Sequence, residues 1–486
     1  MIDAQKAQRT DDVVRKQMLI RGEWVRADEE FAVTNPQDGS VIALLPSASV
    51  EDMEAAIQGA KEASAIARDL PVHRRKAILL KAAELLAARG DEVARTLARD
   101  CSKTIRETRK EVVRAADTLR LSAEEAGRVN GETIAFDQRP GAEGRIGYYE
   151  RFPVGIVAAI TPFNDPLNLV AHKVGPAIAT GNSIVLKPSS AAPLGAYVLT
   201  ELLLEAGLPP EIISLVTGDG AVLGDYLVQH KDIPMISFTG GLTTGLGITR
   251  KAGIKRLAME LGSNSPTIVL GDADIEKAVE ATVSGAFGNA GQNCLGVQRI
   301  LLQEEIADDF TERFLAATKA LQVGDKLSES TDVGPMISEK EARRVEAWVR
   351  DAVAQGARLL VGGTRRGAYY DPTVLCDVPS GCALDREEVY GPVVSLYRVR
   401  DAEEAVAKAN DSPYGLQAGI FTRDIDTAFR VVRALEMGGV MVNDSSDFRV
   451  DAMPFGGVKG SGIGREGVHF AAEAMTETKV VCLNLG

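Results

Sequence analysis

The chain has 486 residues, of which 45% are hydrophobic and 25% charged, a composition that predicts a soluble globular protein of two or three domains. Its 68 acidic against 55 basic residues give a net charge of −13, which argues against a nucleic-acid-binding protein. The polar N-terminus and the lack of an apolar run of about 18 residues predict a cytoplasmic protein without a membrane partner.

Residues 20–44 contain short β-forming runs separated by turn signals, and residues 50–130 have apolar residues at helical spacing. The segment 132–151 interrupts this pattern and predicts a hairpin arm outside the main sheet. The C-terminal run 478–484 is a lone strand, which we expect to pair either with the 132–151 arm or with another subunit.

Strands and helices alternate from residue 155 onwards. Continuous apolar runs separated by helices predict a parallel sheet covered on both faces, and a second α/β unit begins near residue 266. The predicted strands are 155–160, 183–188, 213–218, 235–241 and 255–260, with helices at 169–180 and 193–206, and a strand at 438–443 in the second unit.

The five cysteines, Cys101, Cys294, Cys376, Cys382 and Cys482, are odd in number and widely spaced. No CxxC pattern or nearby His cluster accompanies them, so we expect free thiols and no metal site.

Glycine-rich turns offer two possible phosphate contacts. The segment 217–224 approaches a GxGxxG pattern, but its third glycine falls one residue late. The segment 238–245 follows a strand and precedes a helix, where bare amides at a helix N-terminus suit a pyrophosphate. An ordinary strand-to-helix turn explains it equally well.

Three polar residues lie where chemistry is possible. Cys294 has small neighbours that would admit a substrate, although a buried structural cysteine is the ordinary alternative. Glu260 directly follows an apolar run, so its carboxylate is either paired or functional. Asn164 follows a buried strand, where α/β proteins collect ligands, although a loop cap is equally possible.

Seven motifs together resemble the aldehyde dehydrogenase superfamily, in the same order along nearly the whole chain. They are TPFN (161–164), LKPS (186–189), SFTGG (237–241), MELGSN (259–264), GQNC (291–294), EEVYGP (387–392) and MPFGGVKGSGIGREG (453–467). The resemblance implies a Rossmann-like nucleotide-binding domain (1–131 and 152–261), an α/β catalytic domain (262–474) and a small β oligomerisation arm (132–151 and 475–486). It also implies a homodimer or homotetramer.

The resemblance further implies that Cys294 attacks an aldehyde carbon and that the Asn164 amide and the Cys294 N–H stabilise the oxyanion. Glu260 would then activate the water that hydrolyses the thioester. Lys187 resembles the residue that binds the adenine ribose, and Glu388 the one that holds the nicotinamide ribose. The full cofactor set comprises Ile160, Thr161, Phe163, Lys187, Ser189, Ser190, Gly220, Phe238, Thr239, Gly240, Gly241, Gly245, Leu261, Gly262, Glu388 and Tyr390.

Some positions depart from the family pattern. Ser190 stands where NAD-preferring members often carry Glu, so NAD is favoured but NADP is possible. Asp165 and His172 replace bulky apolar or aromatic residues and predict a polar substrate, unless they pair with each other or with Arg109. The predicted substrate residues are Asp165, Leu169, His172, Arg109, Asn293, Leu295, Phe448 and Arg449, the two arginines being candidates to hold an anion.

The stretch 443–467 is most similar to lactaldehyde dehydrogenase-like and phosphonoacetaldehyde dehydrogenase-like members. We therefore predict a non-acylating enzyme that oxidises a small hydroxylated or anionic aldehyde. One alternative is a coenzyme A-acylating dehydrogenase, against which the general-base carboxylate of Glu260 argues. The other is a retired structural or binding relative, from which Cys294 or Glu260 would be missing.

Overall fold

The computed structural model describes residues 13–486. Its first large sheet has eight strands, and the five central ones are parallel to one another. In spatial order the strands are Gly462–Ile463, Arg256–Glu260, Met235–Thr239, Ile156–Ile160, Ser183–Lys187, Ile213–Leu215, Met18–Ile20 and Glu23–Val25. The central strands are apolar and buried because helices cover both faces of the sheet, as their continuous apolar runs predict.

The helical region predicted between residues 50 and 130 consists of four separate helices. Two of them begin with a reciprocal capping box, Ser49 with Asp52 and Thr104 with Glu107, which satisfies N–H groups that a helix start leaves free. The helices packed around this sheet are Val50–Asp69, Val72–Ala88, Gly90–Asp100, Ile105–Glu125, Asn168–Thr180, Leu194–Glu205, Gly220–Gln229, Leu242–Lys251 and Val468–Ala474.

The second large sheet has seven strands, parallel except for one edge pair. In spatial order they are Arg358–Val361, Thr373–Cys376, Val393–Val399, Arg299–Gln303, Pro266–Val269, Gln417–Phe421 and Gly439–Val442. Its helices are Ile275–Phe287, Glu304–Ala320, Glu339–Ala354, Ala383–Arg386, Ala402–Asn410 and Ile425–Ala434. The chain passes from the first sheet to the second between residues 260 and 266, and it returns to the first with Gly462–Ile463 and Val468–Ala474.

The C-terminal strand Thr476–Asn484 pairs antiparallel with Arg145–Pro153 along its whole length, and Glu132–Ile134 completes that sheet. The first of the two predicted pairings, with the 132–151 arm, is therefore the one in the structure. A further three-stranded sheet contains Val14–Arg15, Val41–Ser47 and Glu29–Thr34, and a two-stranded ribbon contains Arg365–Arg366 and Tyr369–Tyr370. Within residues 13–486, no helix combines the length and apolarity needed to span a membrane.

Candidate active site

A groove of about 990 Å³ runs along the carboxyl ends of the first sheet's parallel strands. Ile160, Lys187, Thr239 and Glu260 are the last residues of four neighbouring strands, so the register of the sheet brings them to one edge. Parallel α/β sheets collect ligands at this edge. The groove also reaches residues of the second unit, among them Glu388.

Fifteen of the predicted cofactor residues line this groove. They are Ile160, Thr161, Phe163, Lys187, Ser189, Ser190, Gly220, Phe238, Thr239, Gly240, Gly241, Leu261, Gly262, Glu388 and Tyr390. Gly245 is not among the residues that line the groove, and its role stays a prediction: a Cβ there would lie 2.5 Å from the side chain of Leu261, which does line it. The third glycine of the 238–245 turn therefore admits a neighbouring leucine, and the groove continues past it at Gly247 and Ile248.

Three features of the groove fit a dinucleotide. The buried Thr161 hydroxyl has no hydrogen-bond partner within residues 13–486. Burial lowers the pKa of Lys187 to about 8, so a hydroxyl-rich ligand that accepts its hydrogen bonds would relieve the cost of holding this amine out of water. Gly240 and Gly241 precede the helix Leu242–Lys251, whose N-terminus favours an anion.

Glu388 lies against the bare backbone of Gly262, where a side-chain Cβ would overlap its carboxylate. The carboxylate accepts a 2.8 Å hydrogen bond from the Ser263 N–H, and burial raises the pKa of Glu388 to about 7. Phe163 packs edge-on against Tyr390, with the ring centroids 5.8 Å apart. These contacts hold Glu388 and Tyr390 in the part of the groove that contains Cys294.

Cys294 lies where the groove meets a second cavity of about 460 Å³, and both are lined by Asn164, Thr239, Gln292 and Cys294. The thiol is therefore accessible from both cavities. This arrangement lets a substrate in one cavity and a cofactor in the other meet at Cys294. Burial raises the pKa of the Cys294 thiol to about 12, against the opposing charge of Arg449. The thiol is accordingly protonated at neutral pH, and its ionisation needs a neighbouring base.

Two hydrogen-bond donors beside Cys294 have no protein partner. Within residues 13–486, neither the side-chain amide of Asn164 nor the backbone N–H of Cys294 donates a hydrogen bond. Asn164 is nevertheless 4% exposed. Buried donors left free next to a nucleophile are what an oxyanion hole requires.

Glu260 is 4% exposed, and its Oε2 has no partner within the described residues. Burial, together with the negative charge of Glu466, raises the pKa of Glu260 well above its ordinary value. Burial acts in the same direction on Glu466, but nearby charges, of which Lys173 is the largest, lower its pKa to about 2. A proton shared by the pair therefore binds to Glu260 before Glu466, and a raised pKa makes the ionised form of Glu260 a stronger base.

The aldehyde dehydrogenase family model matches residues 24–481. The chain belongs to the aldehyde dehydrogenase family. This confirms the family, the α/β fold and the enzyme class predicted from the sequence, an NAD(P)-dependent aldehyde dehydrogenase.

Curated relatives and solved structures agree with this membership. The enzyme is 49% identical to aspartate-semialdehyde dehydrogenase 1 of Pseudomonas canavaninivorans (94% of this chain, 97% of that protein). It is 46% identical to 3-sulfolactaldehyde dehydrogenase of Priestia megaterium (96% and 98%) and 41% identical to lactaldehyde dehydrogenase of Methanococcus maripaludis (96% and 100%).

Two crystal structures superpose with a TM-score of 0.95 at 40% identity. One is aldehyde dehydrogenase 21 from Physcomitrella patens in complex with the reaction product succinate, with coverage of 97% of this chain and 98% of that chain. The other is NADP-dependent glyceraldehyde-3-phosphate dehydrogenase from Bacillus halodurans in complex with NADP, with coverage of 97% and 100%.

The 460 Å³ cavity of the enzyme is rich in charged side chains. Its walls include five of the predicted substrate residues besides Arg449: Asp165, Leu169, Asn293, Leu295 and Phe448. Arg449 lies over the Phe455 ring at 3.8 Å, and its buried Nε has no hydrogen-bond partner within residues 13–486. The prediction for Arg449 thus agrees with its place in the cavity.

Arg109 is not in this cavity, which corrects its predicted role. Its guanidinium points away, to Glu329 at 2.7 Å and to Asp91 at 2.9 Å, in exposed ion pairs. Lys110 and Arg114 of the same helix line the cavity instead. Helical spacing explains the difference, because positions 107, 110, 111 and 114 share one face and position 109 lies on another.

The alternative explanation for Asp165 and His172 was that they pair with each other or with Arg109. Neither pairing occurs in the structure. Asp165 is ion-paired with Lys103, and its second oxygen is 3.7 Å from Arg114. Asp451 faces His172 Nε2 at 2.9 Å.

His172 is buried behind the cavity wall and does not line it. Burial, together with the charge of Arg449, lowers the pKa of His172, so its ring is neutral.

Sequence reasoning overlooked several residues that build this site. They are Lys103, Lys110, Glu111, Arg114, Lys173, Asn289, Gln292, Asp451 and Glu466. Lys110 and Arg114 were detectable from helical spacing. Asp451 and Glu466 were not, since their partners His172 and Lys173 lie 279 and 293 residues away in sequence.

Proposed function

We propose that this enzyme oxidises a small aldehyde that carries an anionic group, and that Arg449 and Lys110 bind that group. The observation that carries the proposal is that two cationic side chains lining the cavity that reaches Cys294 keep hydrogen-bond donors free, although the NH2 group of Arg449 pairs with Glu466. Arg449 has its unpartnered buried Nε, and Lys110 makes no hydrogen bond or ion pair within residues 13–486. An anionic ligand would satisfy both.

The product and the substrate named for two of the relatives are anionic in the same way. The Physcomitrella structure contains succinate, and the Priestia relative is named for a sulfonated aldehyde. At 460 Å³ the cavity suits a small substrate, and the charged wall would leave a long apolar aldehyde without contacts while stripping water from buried charges.

The catalytic roles follow from the placement of three residues. Cys294 loses its proton to a base of the site, and Glu260 is one of three carboxylates, with Glu388 and Glu466, whose charges act on that thiol. The thiolate attacks the aldehyde carbon, and the Asn164 amide and the Cys294 N–H donate to the oxygen that becomes negative. Bound nicotinamide supplies the hydride acceptor. Glu260 then takes a proton from the water that hydrolyses the resulting thioester, which releases the acid and restores the thiol.

For the cofactor we propose NAD, with NADP also accepted. The Ser190 hydroxyl donates 2.8 Å to the Gly218 carbonyl, so no carboxylate stands at this position to repel a 2′-phosphate. Lys187 would bind the adenine ribose, and Glu388 the nicotinamide ribose.

The test is to compare aldehydes in pairs of similar length, with NAD and with NADP. Succinate semialdehyde is compared with butanal, and 3-sulfolactaldehyde with lactaldehyde, by initial rates of reduced-nicotinamide formation. We expect a higher kcat/KM for the anionic member of each pair, and a difference that shrinks with added salt. Equal values, or a preference for butanal, would reject the substrate class and leave the enzyme class standing.

We also propose that the enzyme is a homodimer or homotetramer built through the C-terminal strand, and that it is cytoplasmic. Among residues 13–486, the strand Thr476–Asn484 pairs on one side only, and its Val480 (59%) and Leu483 (47%) are exposed. A free strand edge with apolar side chains favours pairing with another copy. Light scattering of the wild type and of Val480→Lys tests it: a monomeric wild type would exclude the proposal.

A further inference from the structure

The loop before the nucleophile has an unusual backbone. Asn289, Ala290 and Gly291 are consecutive, and all three have positive φ, at 51°, 52° and 69°. Non-glycine residues rarely adopt this region, asparagine most readily among them, and each such residue costs free energy unless its surroundings hold it in place. The position of Cys294, three residues further on, depends on the shape of this loop. Contacts with other parts of the protein must therefore maintain that shape.

Asn289 makes those contacts with its whole side chain. Its Nδ2 donates to the Asn164 carbonyl at 3.2 Å and to the Gln292 carbonyl at 3.1 Å. Its Oδ1 accepts a 2.9 Å hydrogen bond from the Ser102 hydroxyl. All three partners come from different segments, and Asn289 is 7% exposed, so one side-chain amide joins them within the protein interior.

The backbone of the loop is anchored as well. The Asn289 N–H donates 2.6 Å to the Glu107 carboxylate, and the Asn289 carbonyl accepts from the Gln292 N–H and side-chain amide, both at 3.0 Å. A Cβ on Gly291 would overlap the carbonyl oxygen of Gly391, so the loop packs closely against the segment that carries Glu388. These anchors fix where the loop lies, while the Asn289 amide alone ties it to Asn164.

We propose that Asn289 is a positioning residue that sets the Asn164 amide and the Cys294 N–H at the right separation for the oxyanion. One donor group binds the carbonyls of Asn164 and of Gln292, which belong to the two segments that supply the oxyanion hole. The inference rests on the proposed function, because it assumes that these two donors stabilise the alkoxide. Asn289 also borders the 460 Å³ cavity, but both ends of its side-chain amide are already hydrogen-bonded to protein groups, so it acts through Asn164 and Gln292.

Two substitutions separate the amide from the backbone. Asn289→Gly keeps the left-handed conformation free of strain but removes all three side-chain hydrogen bonds. Asn289→Asp keeps the shape and the bond from Ser102 but replaces both N–H donors with oxygen. We expect kcat to fall about 100-fold in both, with little change in KM for the aldehyde, because a displaced oxyanion donor costs about 10²–10³ in rate.

The matched control is Asn182→Asp. Asn182 is also fully buried, and its Nδ2 donates to the Thr180 hydroxyl and the Met475 carbonyl at 2.8 and 3.0 Å. Its Oδ1 accepts from the Gly155 N–H at 2.8 Å. Asn182 precedes the strand Ser183–Lys187, at the end of the sheet away from Cys294. Its variant should lower Tm and leave kcat unchanged.

A second readout works without a cofactor. Release of nitrophenol from p-nitrophenyl acetate reports acylation of Cys294, which needs the same oxyanion donors, whereas alkylation by iodoacetamide needs only the thiolate. We expect both Asn289 variants to lose acylation about 100-fold, and we expect Asn289→Gly, which introduces no charge, to retain the alkylation rate and its pH profile. Ser102→Ala is a milder variant, which weakens the Asn289 contact without removing it, and should show a smaller loss of acylation.

Normal kcat and acylation in Asn289→Gly would overturn the inference, since the amide would then be dispensable. Parallel losses of alkylation and acylation would also overturn it, because they would mean that the whole loop had collapsed. If the variants do not fold, an unchanged acylation rate in Ser102→Ala overturns it. An inactive wild type with aldehydes would reject the proposed function, while acylation would still report on Asn289.

Discussion

Replacing Arg449 with Met should convert a preference for anionic aldehydes into indifference. Methionine keeps the apolar contact with the Phe455 ring, where the guanidinium now lies at 3.8 Å, and removes only the charge and the donors. A hydrogen bond to a charged group is worth about 1.5–3 kcal/mol, which corresponds to roughly 10–150-fold in kcat/KM.

The substitution also affects every aldehyde. Arg449 NH2 lies 3.3 Å from Glu466, and its charge favours the Cys294 thiolate. The ratio of kcat/KM for succinate semialdehyde to that for butanal removes this shared effect, because both substrates depend equally on the thiolate. We expect that ratio to fall by about 10–150-fold in Arg449→Met.

Lys110→Met provides the comparison at an exposed position. Its unpartnered amine is solvated, so the same ratio should fall by no more than about 5-fold, and salt should abolish the difference. If Arg449→Met lowers the rates with both aldehydes equally, Arg449 acts on the nucleophile alone and the substrate assignment fails.

Other variants test the chemistry and the packing. Cys294→Ala should abolish turnover but still bind dinucleotide in a fluorescence titration; residual turnover would exclude it as the nucleophile. Because the Glu260 carboxylate must be ionised to act as a base and its pKa is raised, deacylation should speed up as pH rises. Glu260→Gln should show a burst of reduced cofactor and then a slow phase without that pH dependence; a normal steady state would refute its role. Gly262→Ala places a methyl group on the Glu388 carboxylate and should raise KM for the cofactor more than 10-fold, about 1.4 kcal/mol, while an unchanged KM would refute the close approach. Burial opposes ionisation of Asp451, but hydrogen bonds from His172 and Arg114 depress its pKa, so the stability it contributes is present above about pH 4 and lost below. Asp451→Asn should flatten that acid limb in urea titrations, and an unchanged limb would contradict it.

Much of the groove could be predicted from the sequence because its residues belong to strand ends. Apolar runs located the parallel strands, and the polar residues that follow them, such as Lys187 and Glu260, must meet at one edge of the sheet. The order of the motifs then supplied the family. Gly245 stays a prediction, because a glycine in a turn signals either a ligand or a close neighbour, and the structure shows the close neighbour, Leu261.

The substrate cavity was less predictable, since its charges are paired over long distances in sequence. The ion pair between Arg114 and Asp451 joins residues 337 positions apart, and no local pattern marks either partner. Helical spacing would have favoured Arg114 over Arg109, because only the former shares a face with Lys110. The left-handed conformation at Ala290 carries no sequence signal at all, as alanine has no preference for it.

The protein has a net charge of −13, and yet its substrate site contains several cationic side chains. Carboxylates in and around the site pair with most of these cations. Lys103 is neutralised by Glu111 at 2.8 Å and by Asp165, and Lys173 by Glu466 at 3.0 Å. Such pairs can be buried because each charge has its counter-ion. The paired lysines therefore contribute little positive electrostatic potential to the cavity. What distinguishes Arg449 and Lys110 is that their hydrogen-bonding capacity is not used up, so specificity resides in the unpaired donors and not in the number of cations.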